Sequence, residues 1–151
     1  MNKKISIRTA TKEDVPKLLD LIHELAVYEK APNEVTNTLE MMQEDGFGTK
    51  KLYDAFVAEI DGKIIGCAIT YYRYSTWKGR CLYLEDLIVS EKYRGQGAGK
   101  QLFNTCIDFG KEQGCKRMIW QVLDWNQSAI DFYSSYGASL DGEWINGSLR
   151  L

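Results

Sequence analysis

The sequence predicts the α+β class, with helices packed on a mixed and largely antiparallel sheet. Read from the N-terminus, the apolar patterns alternate as a strand, helices, three strands, a helix, a strand, a helix and a strand. The dipeptide Asp61-Gly62 between two apolar segments indicates an antiparallel hairpin. The chain has 151 residues, 44% of them hydrophobic, which suits one domain with its own core. We therefore expect a single domain over residues 1–151.

The first third of the chain is predicted to hold one strand and two helices. Residues 4–8, "KISIR", alternate between polar and apolar side chains, which is typical of a strand. Thr11 followed by Asp14 resembles a capping box, and apolar residues then recur at helical spacing to about Glu29. A shorter helix is expected over residues 36–44, where "EDGFG" closes it with a turn.

The middle of the chain is predicted to form a three-stranded run and a helix. The segment "YDAFVAEIDGKIIGCAITYYRY" gives the two strands of the hairpin. "RCLYLEDLIVS", residues 80–90, is apolar enough for a central strand. After a glycine-rich stretch, a helix should run to a glycine stop near Gly114.

The last third is predicted to alternate strands with one helix. "CKRMIWQVL" is typical of a strand, and Asn126 is a suitable N-cap for a helix that ends near Gly137. "ASLDGEWI" and "SLRL" are expected to be closing strands.

Composition argues against several classes of protein. The net charge of −2 does not favour nucleic-acid binding, and no apolar run approaches the length of a membrane span. "MNKKISIRTA" has no apolar region typical of a signal peptide, so we expect a cytoplasmic protein with reduced cysteines in its core. No C-x-x-C pair occurs and there is one histidine, so we expect no zinc site. The cysteines are Cys67, Cys81, Cys106 and Cys115.

The glycine-rich stretch "YRGQGAGKQ" does not match two well-known nucleotide motifs. A P-loop needs glycine where this chain has Arg94 and serine or threonine where it has Gln101. A dinucleotide fingerprint needs G-x-G-x-x-G after the first strand, whereas here G-x-G-x-G occurs late in the chain. What remains is a glycine loop between a strand and a helix. Its bared N–H groups suit a pyrophosphate, with a plain helix-capping turn as the alternative.

The same stretch lies within a longer family resemblance. "YLEDLIVSEKYRGQGAGKQLF" resembles the acetyl-CoA-binding core of the GNAT superfamily of N-acetyltransferases. Together with "HELAVYEKAP", "EDGFG" and "WNQSAIDFYSSYGA", it is similar to diamine acetyltransferases, the spermidine/spermine group and its thialysine-acetylating relatives. The resemblance covers residues 5–138 in order. It implies a GNAT-type fold, acetyl-CoA as co-substrate without a metal, and a homodimer.

The resemblance also implies which residues bind acetyl-CoA. The pantetheine arm would bind backbone groups of Leu87, Ile88 and Val89, as an added strand does. Residues implied for the pyrophosphate are Arg94, Gly95, Gln96, Gly97, Ala98, Gly99 and Lys100. Residues implied for contacts further along the cofactor are Asn126, Gln127, Ser128 and Ala129.

By the same resemblance, Tyr133 would protonate the departing thiolate and Glu85 would accept the proton of the attacking amine. Tyr28 and Glu29 would help to bind a small cationic substrate. From the residues alone, Tyr133 could instead be a core aromatic, and the other three could be solvated side chains at the ends of elements. The pair formed by Glu85 and Asp86 is unusual inside an apolar strand, because buried carboxylates need partners.

The favoured acceptor is a diamine or polyamine, and thialysine or another amino-acid amine is the alternative. The chain departs from the animal diamine enzymes at Ser75, where those tend to carry an acidic residue, and after Gly137, where the resemblance is poor. Two other classes stay open: an acyl-CoA-binding module without turnover, and a nucleotide-binding protein.

Overall fold

The computed structural model describes residues 3–151. The chain divides into two compact units, of which the first ends at Trp120 and the second is Gln121–Leu151. Among the helices of residues 3–151, none is long and apolar enough to cross a membrane.

The elements follow the predicted order, with differences at their ends. The strands are β1 (Ser6–Thr9), β2 (Asp54–Ile60), β3 (Lys63–Ser75), β4 (Gly79–Val89) and β5 (Met118–Ile119). The helices are α1 (Val15–Tyr28), α2 (Leu39–Phe47), α3 (Ala98–Glu112) and α4 (Gln127–Ser134). Short 3-10 turns precede α1 at Lys12–Asp14 and follow β4 at Glu91–Tyr93.

The five strands form one sheet in sequence order, β1-β2-β3-β4-β5. The first four pair antiparallel, and β5 runs parallel to β4. Asp61 and Gly62 both have positive φ, 52° and 75°, as the tight turn between β2 and β3 requires. The α+β class with a mixed, largely antiparallel sheet is therefore confirmed. That the whole chain is one N-acetyltransferase domain stays a prediction.

Helices cover both faces of the sheet. On one face, Val57 and Cys67 belong to a core that includes Leu18 of α1. Neighbouring residues of a strand point to opposite faces, so Phe56 lies on the other side, where its ring is 5.3 Å from that of Phe109 in α3. At its other end, α3 begins beside the end of β4, since a Cβ on Gly99 would lie 3.8 Å from Cγ2 of Val89.

Several elements differ from the prediction. Helix α2 begins at Leu39 rather than at residue 36, because the side chain of Thr38 accepts a hydrogen bond from the N–H of Met41 and so caps the helix. The strand predicted from "CKRMIWQVL" is only the two-residue β5. The closing strands "ASLDGEWI" and "SLRL" are wrong, since residues 138–151 contain no strand and leave Trp144 and Ile145 exposed. Without a ladder partner, apolar alternation alone does not make a strand.

Candidate active site

Strand β4 carries a β-bulge at its two acidic residues. Asp86 lies opposite Ile69 of β3, whereas the next pair joins Thr70 to Leu84. Glu85 is therefore an extra residue that has no partner in the β3–β4 ladder. Such bulges bend a strand and redirect side chains. Here the bulge leaves Glu85 exposed and Asp86 half-buried beside it.

Beyond the bulge, one edge of β4 has no neighbouring strand. Pairing with β5 ends at Tyr83, and within residues 3–151 no other strand joins this edge. The N–H of Ser90 donates to the carbonyl of Ile65 at 2.8 Å, so backbone groups at this position point toward β3. Because these directions alternate along a strand, those of Leu87 and Val89 point to the free edge. An extended ligand can bind there as an added strand does.

Ile88 is arranged differently from its two neighbours. Its backbone groups face β3, where it pairs with Cys67, and its side chain is buried in the core. Of the three strand residues expected to bind pantetheine, Leu87 and Val89 thus direct their backbone groups to the free edge, where the carbonyl of Val89 accepts from Arg94 Nε, and Ile88 anchors the strand.

The loop after β4 exposes a row of backbone N–H groups. Gly95 and Gly97 have φ values of 75° and 93°, and Gly97 is the N-cap of α3 without a side-chain cap. Within the described residues, no acceptor bonds the N–H groups of residues 95–100. A Cβ on either glycine would meet nothing within 4 Å, so the space before the loop is open. The loop suits the diphosphate of a cofactor, because a helix N-terminus favours anions.

Arg94 and Tyr28 connect this loop to α1. The Nε of Arg94 donates to the carbonyl of Val89 at 2.9 Å, and its guanidinium carbon lies 5.1 Å from the ring centroid of Tyr28. Close by, Ser90 Oγ donates to Glu24 Oε2 at 2.9 Å. The C-terminal end of α1 is thereby held against the end of β4. Tyr28, expected at the substrate, lies under the guanidinium of Arg94.

Two carboxylates, Glu29 at the end of α1 and Glu85 of β4, lie near a third, Asp86. Burial first, and then the charges of Glu85 and Glu29, raise the pKa of Asp86 from 3.8 to about 7. Burial also raises the pKa of Glu29, the residue that ends α1. We call Glu29, Glu85 and Asp86 the acidic cluster. Glu29 and Glu85 were predicted as site residues. Asp86 was not, and the sequence marked it only by its place inside an apolar strand.

Aromatic side chains border the acidic cluster on the α1 face of the sheet. Tyr71 of β3 pairs with Tyr83 of β4, and their ring centroids are 5.0 Å apart. Burial first, and then the charge of Glu85, raises the pKa of both phenols. The guanidinium carbon of Arg73 lies 5.7 Å from the Tyr83 ring centroid. Two apolar walls and a cation therefore lie near the carboxylates.

The second unit holds the remaining predicted residues. Asn126 caps α4, since its Oδ1 accepts from the N–H of Ala129 at 3.2 Å, and Gln127 donates to Asp131. Tyr133 is 8% exposed, and its ring meets that of Phe132 edge-on at 5.4 Å. This burial suits both a core aromatic and a catalytic phenol, so the role of Tyr133 stays a prediction.

Comparison with known proteins adds a family to this geometry. The model of the Acetyltransferase (GNAT) family matches residues 18–138. Thialysine N-epsilon-acetyltransferase from Bos taurus is 40% identical over 142 residues, which are 89% of this chain and 84% of that protein. Spermidine/spermine N(1)-acetyltransferase-like protein 1 from Homo sapiens is 35% identical over 139 residues, 87% of this chain but 20% of that protein.

Solved structures share the fold. An aminoglycoside acetyltransferase from an uncultured soil metagenomic sample has a TM-score of 0.79 and 24% identity, covering 97% of this chain and 96% of that one. At this identity the likeness concerns the fold. The family match spans most of the chain, including the bulge, the free edge and the glycine loop. The chain therefore belongs to the Acetyltransferase (GNAT) family, and it is an N-acetyltransferase.

Proposed function

We propose that the protein transfers the acetyl group of acetyl-CoA directly to the primary amine of a small cationic acceptor, of the diamine, polyamine or basic amino-acid type. The acidic cluster beside the free edge of β4 is the observation that carries this proposal. It gives a cation a binding place next to the strand edge that suits pantetheine. The names of the bovine and human relatives, which specify thialysine and spermidine/spermine, support an acceptor of this size.

Carboxylates suit this chemistry because the acceptor arrives protonated. A primary amine with a pKa of about 10.4 is a free nucleophile in only about one molecule in a thousand at neutral pH. A carboxylate both attracts the ammonium and takes up its proton. We assign proton acceptance to Glu85, the exposed residue of the bulge, and cation binding to Glu29 and Asp86. Tyr28, stacked under Arg94, completes the proposed substrate end of α1.

Acetyl-CoA supplies the thioester carbonyl that the amine attacks. The backbone groups of Leu87 and Val89 would bind the pantetheine arm, and an N–H on this strand would stabilise the developing oxyanion. The loop of residues 94–100 would bind the pyrophosphate through its N–H groups and the charges of Arg94 and Lys100. In the second unit, residues 126–129 are proposed to contact the cofactor further along.

The proposed reaction needs one more proton transfer. The amine loses a proton to Glu85 as its nitrogen bonds to the carbonyl carbon, and the C–S bond then breaks. The departing thiolate takes a proton, which we assign to the phenol of Tyr133 on the basis of the family resemblance. By that same resemblance we propose that the enzyme works as a homodimer. We also propose that it is cytoplasmic, which its free cysteines support.

The test is release of free thiol from acetyl-CoA with a panel of amines. We expect turnover with small cationic amines, and a loss of at least about a hundredfold in kcat for Tyr133→Phe, the size typical of general acid catalysis. Tyr136→Phe, which removes a phenol three residues further along, is the matched control and should keep its rate.

Two other outcomes would contradict the proposal. Tight binding of acetyl-CoA with no turnover for any amine would identify a non-catalytic acyl-CoA-binding module. Thermal stabilisation by ATP or NAD, and none by CoA, would identify a nucleotide-binding protein.

The role of Glu85 has its own test. Glu85→Gln should lower the rate most steeply at low pH, where free amine is scarce. Equal loss at every pH would contradict the assignment of Glu85 as proton acceptor.

A further inference from the structure

Arg73 leans along the sheet toward the acidic cluster. It pairs with Cys81, yet its guanidinium carbon lies over the ring of Tyr83, two residues further along β4 and next to the bulge. Its position on β3 places it on the same face as Tyr71 and Asp86, because paired residues and alternate residues share a face. Arg73 therefore places a positive charge over Tyr83, two residues before Glu85, on the face of the sheet that carries Asp86.

The guanidinium of Arg73 has no hydrogen bond or ion pair with any residue that the structure describes. Four other arginines each donate to an acceptor of the protein: Arg8, Arg80, Arg94 and Arg117. Arg73 is exposed, and its guanidinium carbon lies 5.7 Å from the centroid of the Tyr83 ring, which leaves its N–H donors available to a ligand. Its planar donor array matches a carboxylate in geometry and charge.

The spacing and the signs of charge favour one kind of acceptor. The Tyr83 and Asp86 positions pair with Tyr71 and Ile69, which are two residues apart on β3, so roughly 7 Å separates them along the sheet. A molecule with an amine at one end, several methylenes, and a carboxylate at the other end can bridge the two. An amino acid also brings its α-ammonium to this end, but its carboxylate can pair with the guanidinium, whereas a diamine brings a second ammonium with no carboxylate beside it. Ser75 adds no carboxylate to this end of β3 that would offset the repulsion.

We propose that Arg73 is a specificity-determining residue that binds a carboxylate of the acceptor, so that amino acids with a side-chain primary amine are preferred over the corresponding diamines. This inference rests on the proposed function. It narrows the acceptor class and reverses the order of preference expected from the sequence, in which diamines and polyamines came first. Tyr71 and Tyr83 would contact the methylenes between the two charged ends.

The test compares lysine with cadaverine, which differ by the α-carboxylate alone. With Arg73→Gln we expect the KM for lysine to rise about tenfold or more, since a hydrogen bond to a charged group is lost, while kcat changes less than about twofold. The KM for cadaverine should stay the same or fall. Arg73→Lys, which keeps the charge, should restore part of the affinity for lysine.

Arg80→Gln is the matched control. Arg80 is also exposed and lies over a tyrosine ring, that of Tyr72 at 5.4 Å, but on the opposite face of the sheet. It should leave both KM values unchanged. An equal change in KM for both acceptors in Arg73→Gln, or no change for either, would overturn the assignment.

Calorimetric titration of lysine separates this inference from the proposed function. Wild-type protein that turns over no amine would contradict the proposed function alone. The carboxylate role of Arg73 then stands if Arg73→Gln weakens lysine binding about tenfold, and it falls if both proteins bind lysine equally or not at all.

Discussion

The side chain of Arg94 donates a hydrogen bond of 2.9 Å from Nε to the carbonyl oxygen of Val89. This bond fixes the first residue of the glycine loop to the last residue of β4. It therefore sets the position of the loop proposed to bind pyrophosphate relative to the strand edge proposed to bind pantetheine. Pyrophosphate and pantetheine are parts of the same ligand, so the two binding places must keep a fixed distance.

Replacing Arg94 by glutamine should weaken acetyl-CoA binding. We expect the KM for acetyl-CoA to rise about tenfold with a smaller change in kcat, because one charge-assisted contact is lost. Steady-state kinetics with varied acetyl-CoA measures this. Lys92→Gln removes a neighbouring surface charge and is the control. An unchanged KM in Arg94→Gln, or an equal rise in both variants, would count against the loop as the pyrophosphate site.

Gly97→Ala should destabilise the protein and weaken acetyl-CoA binding together. Nothing blocks a Cβ at this position, so the cost comes from the φ of 93°, about 1 to 2 kcal/mol for a residue other than glycine. Urea denaturation and the KM for acetyl-CoA measure the two effects. Gly142→Ala adds a methyl group in equally open space at a residue without positive φ, and should change neither. If Gly97→Ala and Gly142→Ala change the free energy of unfolding and the KM for acetyl-CoA by equal amounts, the explanation from positive φ is wrong.

Asp86→Asn should stabilise the fold at high pH while lowering activity. The pKa of Asp86 is raised from 3.8 to about 7 in the folded state, so ionisation of this group costs stability as pH rises from about 4 to 7. At pH 8 the free energy of unfolding of the variant, measured by urea denaturation, should therefore exceed that of wild type by up to about 4 kcal/mol. Near pH 4 the two free energies should be equal.

Asp108→Asn, an exposed carboxylate on α3, is the control for that measurement and should show no such dependence. If Asp86→Asn changes the free energy of unfolding by the same amount at pH 4 and pH 8, the pKa of Asp86 is not raised by burial and neighbouring carboxylates.

Asp14→Asn should destabilise the start of α1. Arg8 donates to both Asp14 oxygens, and this bonding lowers the pKa of Asp14 to about 2. The stabilisation is present above about pH 4 and is lost as pH falls toward 2. We expect a loss of about 1 to 2 kcal/mol at pH 7, which shrinks below pH 4, measured by urea denaturation. Glu13→Gln, exposed next door, is the control, and a loss that persists unchanged at low pH would contradict the ion pair.

Local signals in the sequence predicted much of the fold. The period of α1 and the Asp61-Gly62 turn depend on neighbouring residues, and both were confirmed. The bulge at Glu85 depends on the register between β3 and β4, which no local pattern contains. For the same reason the sequence marked Asp86 as unusual but did not show its burial or its proximity to Glu29.

The end of the chain was predicted least well. Alternation around Trp144 is typical of a strand, but a strand forms only where a neighbour supplies hydrogen bonds, and residues 138–151 form none. Likewise, the apolar run "CKRMIWQVL" was read as a full strand, whereas parallel pairing with β4 stops at Ile119. Because β5 ends there, the edge of β4 beyond Tyr83 is free. The wrong length predicted for β5 therefore concerns the edge that is proposed to bind the cofactor.

A crystal structure of the complex with CoA tests the central claim most directly. The account predicts the diphosphate against the N–H groups of residues 95–100 and the pantetheine arm hydrogen-bonded along Leu87 and Val89, with its sulfur near the hydroxyl of Tyr133. A diphosphate bound elsewhere, or a sulfur far from that hydroxyl, would contradict it.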